Sequence, residues 1–143
     1  IPAIMSDARY EGHIAHRNEV YEKRSRIAYD LLKDIAGIVV NQTNGAFYMT
    51  VMFKENVLTP NQKLAVANAR AKEKVEQLVA DVALDKRFVY YLLGATGICV
   101  VPLTGFNCDL RGFRVTLLES DDAKFEWIFR TLKEKITEYL QSA

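Results

Sequence analysis

The stretch Leu110-Arg-Gly-Phe-Arg-Val-Thr-Leu-Leu-Glu-Ser120 sets one arginine, Arg114, in the middle of an otherwise apolar strand. Alternation puts Phe113, Val115 and Leu117 on one face and Arg114, Thr116 and Leu118 on the other. The first face asks to be covered; the second carries a charge that cannot be shed by losing a proton. A guanidinium on a half-buried strand needs an anion, and a carboxylate answers its planar fork with two parallel hydrogen bonds. From the strand pattern alone, that carboxylate is either internal (Glu119, Asp109 or an acidic group on a neighbouring helix) or belongs to a ligand. Arg111, in the loop before the strand, competes for the role but is expected in solvent.

Working outward, residues 6 to 36 carry Tyr10, Ile14, Tyr21, Ala28, Leu31, Leu32 and Ile35 at helical spacings, from a cap at Ser6 to a stop at Gly37. The apolar stripe is dense only from about Tyr21 onward. Ile38-Val-Val40 and Ala46 to Phe53 read as a hairpin-like pair of strands joined by the turn-rich Asn41-Gln-Thr-Asn-Gly45. Thr59-Pro60 predicts a helix start, with Leu64, Ala67, Ala71, Val75, Leu78, Val79 and Val82 as its stripe. Asp85 predicts the cap of a short helix bearing Phe88, Val89, Leu92 and Leu93 and ending at Gly94. Strands are expected at 97 to 101 and 113 to 118, flanking a loop from Pro102 to Gly112. Ser120-Asp-Asp122 opens a last helix with the clearest amphipathic stripe: Phe125, Ile128, Phe129, Leu132, Ile136, Tyr139 and Leu140. This order predicts an α+β two-layer sandwich, a small mostly antiparallel sheet with helices on one face and the other face free. No repeat or linker interrupts residues 1 to 143, so one domain is expected.

Half of the 143 residues are hydrophobic, enough for one proper core. Nineteen basic against eighteen acidic residues leave a formal charge of +1, which gives no electrostatic case for nucleic acid or an anionic membrane. The apolar runs are too short to span a bilayer, and no stretch has the pattern of a signal peptide. Two cysteines, Cys99 and Cys108, make neither a disulfide scaffold nor a paired zinc motif and fit a cytoplasmic protein with reduced thiols. Cys99, inside Ile98-Cys-Val-Val101, is expected in the core, Cys108 in a polar loop. His13 and His16 lack a third metal ligand, so no metal site is expected. Glu119, Asp121 and Asp122 suit the positive end of a helix better than catalysis. The aromatic strand at Phe47-Tyr48 reads as packing rather than as a platform for bases.

Leu92-Leu-Gly-Ala-Thr-Gly-Ile-Cys-Val-Val-Pro102, then Gly105-Phe106, then Phe113-Arg114-Val-Thr resembles the C-terminal small domain of fold-type I, class I/II aminotransferases dependent on pyridoxal phosphate. Asn44-Gly-Ala-Phe-Tyr48 resembles that family's Gly-Ala/Thr-Phe-Tyr strand, and Arg24-Ser-x5-Leu-Leu-Lys-x-Ile-Ala-Gly37 its preceding long helix. The likeness covers essentially the whole chain. It implies that Arg114 binds the substrate's α-carboxylate, that Phe47 lines the pocket, and that residues 1 to about 20 lead in from a large domain. That large domain would carry the catalytic lysine and the cofactor-binding residues, leaving no catalytic residue in this chain and the chain inactive alone. Implied partners are an amino acid, a 2-oxo acid, the large domain and, in the parent enzyme, a second subunit of a homodimer. The Thr-Gly-Ile-Cys-Val-Val-Pro run leans toward alanine aminotransferase-like enzymes. Leu103 departs from the family's commonest version, which has Gly directly after the proline. The rival reading is a stand-alone, non-catalytic α+β module that binds a small amino acid or a partner protein through its open sheet face.

Overall fold

The computed structural model describes residues 1–142. Four strands, β1 (Ile38–Val40), β2 (Tyr48–Phe53), β3 (Val101–Pro102) and β4 (Gly112–Thr116), form one antiparallel sheet in the order β1-β2-β4-β3. Five helices accompany it: α1 (Pro2–Met5), α2 (Tyr10–Leu32), α3 (Ala69–Leu78), α4 (Leu84–Thr96) and α5 (Asp122–Gln141). A 3-10 turn, Leu103–Phe106, links β3 to β4. The expected α+β sandwich is what forms. Ile38, Met49, Val51, Phe53, Phe113, Val115 and Leu117 turn one sheet face into the core with α2, α4 and α5, while Val39, Tyr48 and Val101 on the other face stay exposed. Phe88 of α4 is the hub of the core, with ring centres 5.2 Å from Phe53, 5.4 Å from Phe113 and 5.1 Å from Tyr139.

The α5 stripe lies as its spacing predicts: Phe125, Phe129, Leu132, Ile136 and Tyr139 are buried, and Asp121 caps the helix by accepting from the Lys124 amide. The long N-terminal helix is real but shorter, starting at Tyr10, and its residues 11 to 19 are all exposed where the apolar stripe is thin. It ends at Leu32; Gly37, at φ +91°, turns the chain into β1.

Three expected boundaries are corrected. No helix starts at Thr59-Pro60; the Pro60 carbonyl, which a helix would need for itself, is taken by a side chain 27 residues further on, Arg87 of α4. Buried Gln62 accepts from the Thr59 amide and donates to the Val57 carbonyl, and the buried Arg87 guanidinium donates to the Pro60 and Val79 carbonyls at 2.6 Å each. The helix waits for Asn68, whose side chain accepts from the Ala71 amide. Gly94 does not end α4. It allows α3 to approach: a Cβ there would lie 2.7 Å from a Val75 methyl, and the helix runs on to Thr96 before left-handed Gly97 closes it. The strand expected at 97 to 101 pairs only at Val101–Pro102. Ile98 and Val100 still bury their side chains, so alternation turns Cys99 outward, exposed rather than in the core.

Candidate functional site

Register fixes the surroundings of Arg114: Thr50 of β2 stands opposite it on one side and Val101 of β3 on the other. The guanidinium carbon lies 4.3 Å from the ring centre of Tyr48 and 4.3 Å from that of Phe106. A weakly hydrated, planar cation gains from both aromatic faces and keeps N–H edges for an acceptor. Arg114 is half-buried, and among the described residues no carboxylate pairs with it. Glu119 is held instead by Lys124 at 2.8 Å, which draws its carboxyl below the usual range, and Asp109 is exposed. The internal ion pair that the strand pattern left open therefore does not form. Arg111 lies in solvent, as expected.

The aromatic contacts continue beyond Arg114. The Tyr48 ring lies 4.5 Å from that of Phe47, which lies 6.3 Å from that of Tyr21 on α2, and Tyr21 carries the Arg17 guanidinium 5.0 Å from its own ring centre. Phe47 thus borders a cleft of about 570 Å³ between α2 and the 42–46 loop, with Arg17 and Asn18 on its other wall. The loop is pinned by Ser25, whose hydroxyl accepts from the Thr43 amide and donates to its carbonyl, and by the Leu117 amide donating to the Phe47 carbonyl at 2.8 Å.

Two charged side chains, Arg24 and Asp85, the second expected only as a helix cap, hold this frame. Buried Arg24 of α2 donates to the Leu117 and Ser120 carbonyls and to Asp122, fixing the end of β4 against the helix. Lys23 and Arg24 together keep the Asp122 carboxyl below its ordinary pKa. Asp85 is not the N-cap of α4, which is Ala83, although it accepts from the Lys86 amide; it is wholly buried in the first turn and accepts from the Thr104 amide at 3.0 Å and its hydroxyl at 2.7 Å. A signal for both was available: Arg24 is four residues before Ala28, and Asp85 three before Phe88, on the buried stripes of their helices. Leu103, the departure from the family pattern, is buried against Gly112 at the mouth of the 3-10 turn. His13 and His16 sit on the exposed part of α2, and the described residues hold no cluster of three potential metal ligands.

No protein-family model matches the chain. It is 54% identical over 142 residues to an uncharacterized aminotransferase of Methanocaldococcus jannaschii, a match that covers 99% of this chain and 33% of that protein. It is 28% identical over 127 residues to a probable mitochondrial alanine aminotransferase of Dictyostelium discoideum, and 29% over 127 residues to a mitochondrial alanine aminotransferase of Arabidopsis thaliana. Each of these two matches covers 85% of this chain and 21% of the relative. The chain thus spans a third or less of the length of these relatives. Over nearly all of its own residues the chain is similar to a part of these aminotransferases rather than to their whole length.

Proposed function

We propose that this chain is the C-terminal small domain of a pyridoxal phosphate-dependent aminotransferase that moves an amino group between an amino acid and a 2-oxo acid, and that Arg114 receives the substrate's α-carboxylate. One observation carries the reading. Arg114 is a half-buried guanidinium on the open sheet face, held between two aromatic rings, with no internal carboxylate among the described residues. Tyr48 and Phe106 fix the plane of the guanidinium, so a carboxylate meeting its edge takes one orientation, and the Cα it carries is aimed with it. Phe47, at the border of the neighbouring cleft, lines the side of the pocket.

The described residues do not fit the cofactor by themselves. The open face is built from Val39, Met52, Thr50, Tyr48, Val101, Arg114 and Thr116, without a lysine among them. Several lysines are tied to surface carboxylates, such as Lys23 to Asp122 and Lys63 to Glu76. The Schiff-base lysine and phosphate-binding groups therefore come from a large domain on which the open sheet face and the exposed half of α2 rest, in a cytoplasmic homodimer. Closure of this domain over the substrate would shield the site from water.

Replacing Arg114 with Lys in the full-length gene product tests the reading. The charge stays but the planar fork is lost, so kcat/KM falls by about 2 to 4 kcal/mol for a truncated buried charge contact. That is roughly 30- to 1000-fold, and the loss is shared by every α-amino acid because all present the same carboxylate. A defect confined to one substrate, or none, refutes the assignment. Residues 1–143 alone are expected neither to transaminate nor to form a borohydride-trappable adduct with pyridoxal phosphate on one lysine.

A further inference from the structure

We propose that Asp85 is a positioning residue for the carboxylate site, acting through Thr104 to hold Phe106 against Arg114. The inference rests on the reading of Arg114 as that site. Both carboxylate oxygens of Asp85 are engaged: one accepts from the Thr104 hydroxyl and the Lys86 amide, the other from the Thr104 amide. The side chain is entirely buried and, among the described residues, has no cationic partner. Burying a carboxylate without a counter-charge is costly even where backbone amides and a helix N-terminus receive it. A chain that needed only to start α4 would use an exposed hydroxyl or carboxylate at the cap, yet the cap position is Ala83, which makes no side-chain cap bond. What the buried charge does hold is the turn.

Thr104 is the second residue of the 3-10 turn, and Phe106 is the last. Leu103 anchors the near end by burial. The far end runs into Asn107, in left-handed backbone at φ +54°, and then into a loop whose residues Asp109, Leu110 and Arg111 are exposed. Beyond Phe106 the next tie to the sheet among the described residues is at Arg111, whose carbonyl accepts from the Phe53 amide at 2.9 Å. Phe106 is itself 45% exposed, so burial does little to hold its ring where it is. The two hydrogen bonds from Thr104 to Asp85 set the turn's height above the sheet, and with it the ring that completes the aromatic cradle of Arg114 opposite Tyr48. Asp85 touches neither the guanidinium nor anything bound to it; it decides whether the guanidinium is presented edge-on or is free to swing.

The test uses the full-length gene product with three variants, because Asp85→Asn alone could fail by misfolding. Thr104→Val keeps the shape and removes one hydrogen bond to the carboxylate, whereas Thr104→Ser keeps the hydroxyl. For the α-amino acid turned over fastest, Thr104→Val and Asp85→Asn raise KM roughly ten- to hundredfold, the scale of one buried hydrogen bond to a charged group. Their kcat changes less, and crystals of Thr104→Val show the Phe106 ring off Arg114. Thr104→Ser stays close to the unmodified protein in KM and ring position. A ring still seated on Arg114 in Thr104→Val, a loss carried by kcat rather than KM, or no rescue by Ser overturns the inference. Turnover that Arg114→Lys abolishes but Thr104→Val leaves untouched overturns it while sparing the reading of Arg114. Absence of any amino-acid turnover overturns both.

Discussion

Gly112→Ala puts the join between β2 and β4 under direct strain. A methyl group on Gly112 would lie 2.2 Å from the Val51 carbonyl oxygen, 2.9 Å from a Leu103 methyl and 3.0 Å from the Met52 Cα. The Leu103 side chain can swing aside; the Val51 carbonyl and Met52 Cα are backbone of a paired strand and cannot, unless the strands part by about 1 Å or more to restore an ordinary carbon–oxygen contact. Parting them weakens one or two ladder hydrogen bonds and adds the strain of an overfilled core, together about 3 kcal/mol. With a urea dependence of about 2 kcal/mol/M for a chain of this size, the midpoint falls by about 1.5 M. Because backbone causes most of the clash, Gly112→Ala/Leu103→Ala does not recover the loss. Gly12→Ala is the matched control: no neighbouring atom lies within 4 Å of the added methyl, and it sits in a helix, so it raises stability by up to about 1 kcal/mol. A Gly112→Ala midpoint indistinguishable from the parent, or full rescue by the Leu103 change, would refute the steric argument.

Burial pushes the Tyr139 phenol up to about 12, with nearby Arg87 pulling the other way. The folded chain then keeps a proton that the unfolded chain loses near pH 10, so this contribution to stability is complete below about pH 10 and drains away as the pH rises toward 12. The Tyr139 hydroxyl has no hydrogen-bond partner among the described residues; Tyr139→Phe therefore leaves stability at pH 8 unchanged or higher and softens the alkaline loss, read from urea midpoints at pH 8 and 11. An equally steep decline in both proteins would count against it. Asn68→Ala removes the cap of α3 and costs about 1 kcal/mol, with hydrogen exchange faster in α3 than in α5; uniform acceleration across both helices would point to another cause.

What the sequence made legible was whatever depends on near neighbours. The α5 stripe and the alternation around Arg114 are periodic, and periodicity survives folding unchanged. The residues from Thr59 to Asn68 were illegible for the opposite reason: Arg87 takes the Pro60 carbonyl, and Gln62 reaches across to the Leu140 carbonyl at 3.4 Å. No local propensity encodes a partner so distant in sequence. Arg114 could be assigned to a face but not given its rings, since Phe106 arrives from a loop and Tyr48 from another strand. Asp85 was misread as a cap because its type and place suited one; its partner, Thr104, lies beyond the end of the same helix.

The strand order β1-β2-β4-β3 also sets a timetable. β1 and β2 are near neighbours along the chain and can pair as soon as both exist, but β4, which joins β2 to β3, is the last strand to be made. Until it inserts, β2 keeps an unpaired edge, and the long loop separating Thr50 from Arg114 must close before that pairing yields anything. During synthesis the surroundings of Arg114 are therefore among the last parts of the molecule to take shape. Tyr48, on a strand whose far end is already paired with β1, has to wait for the arginine it will hold.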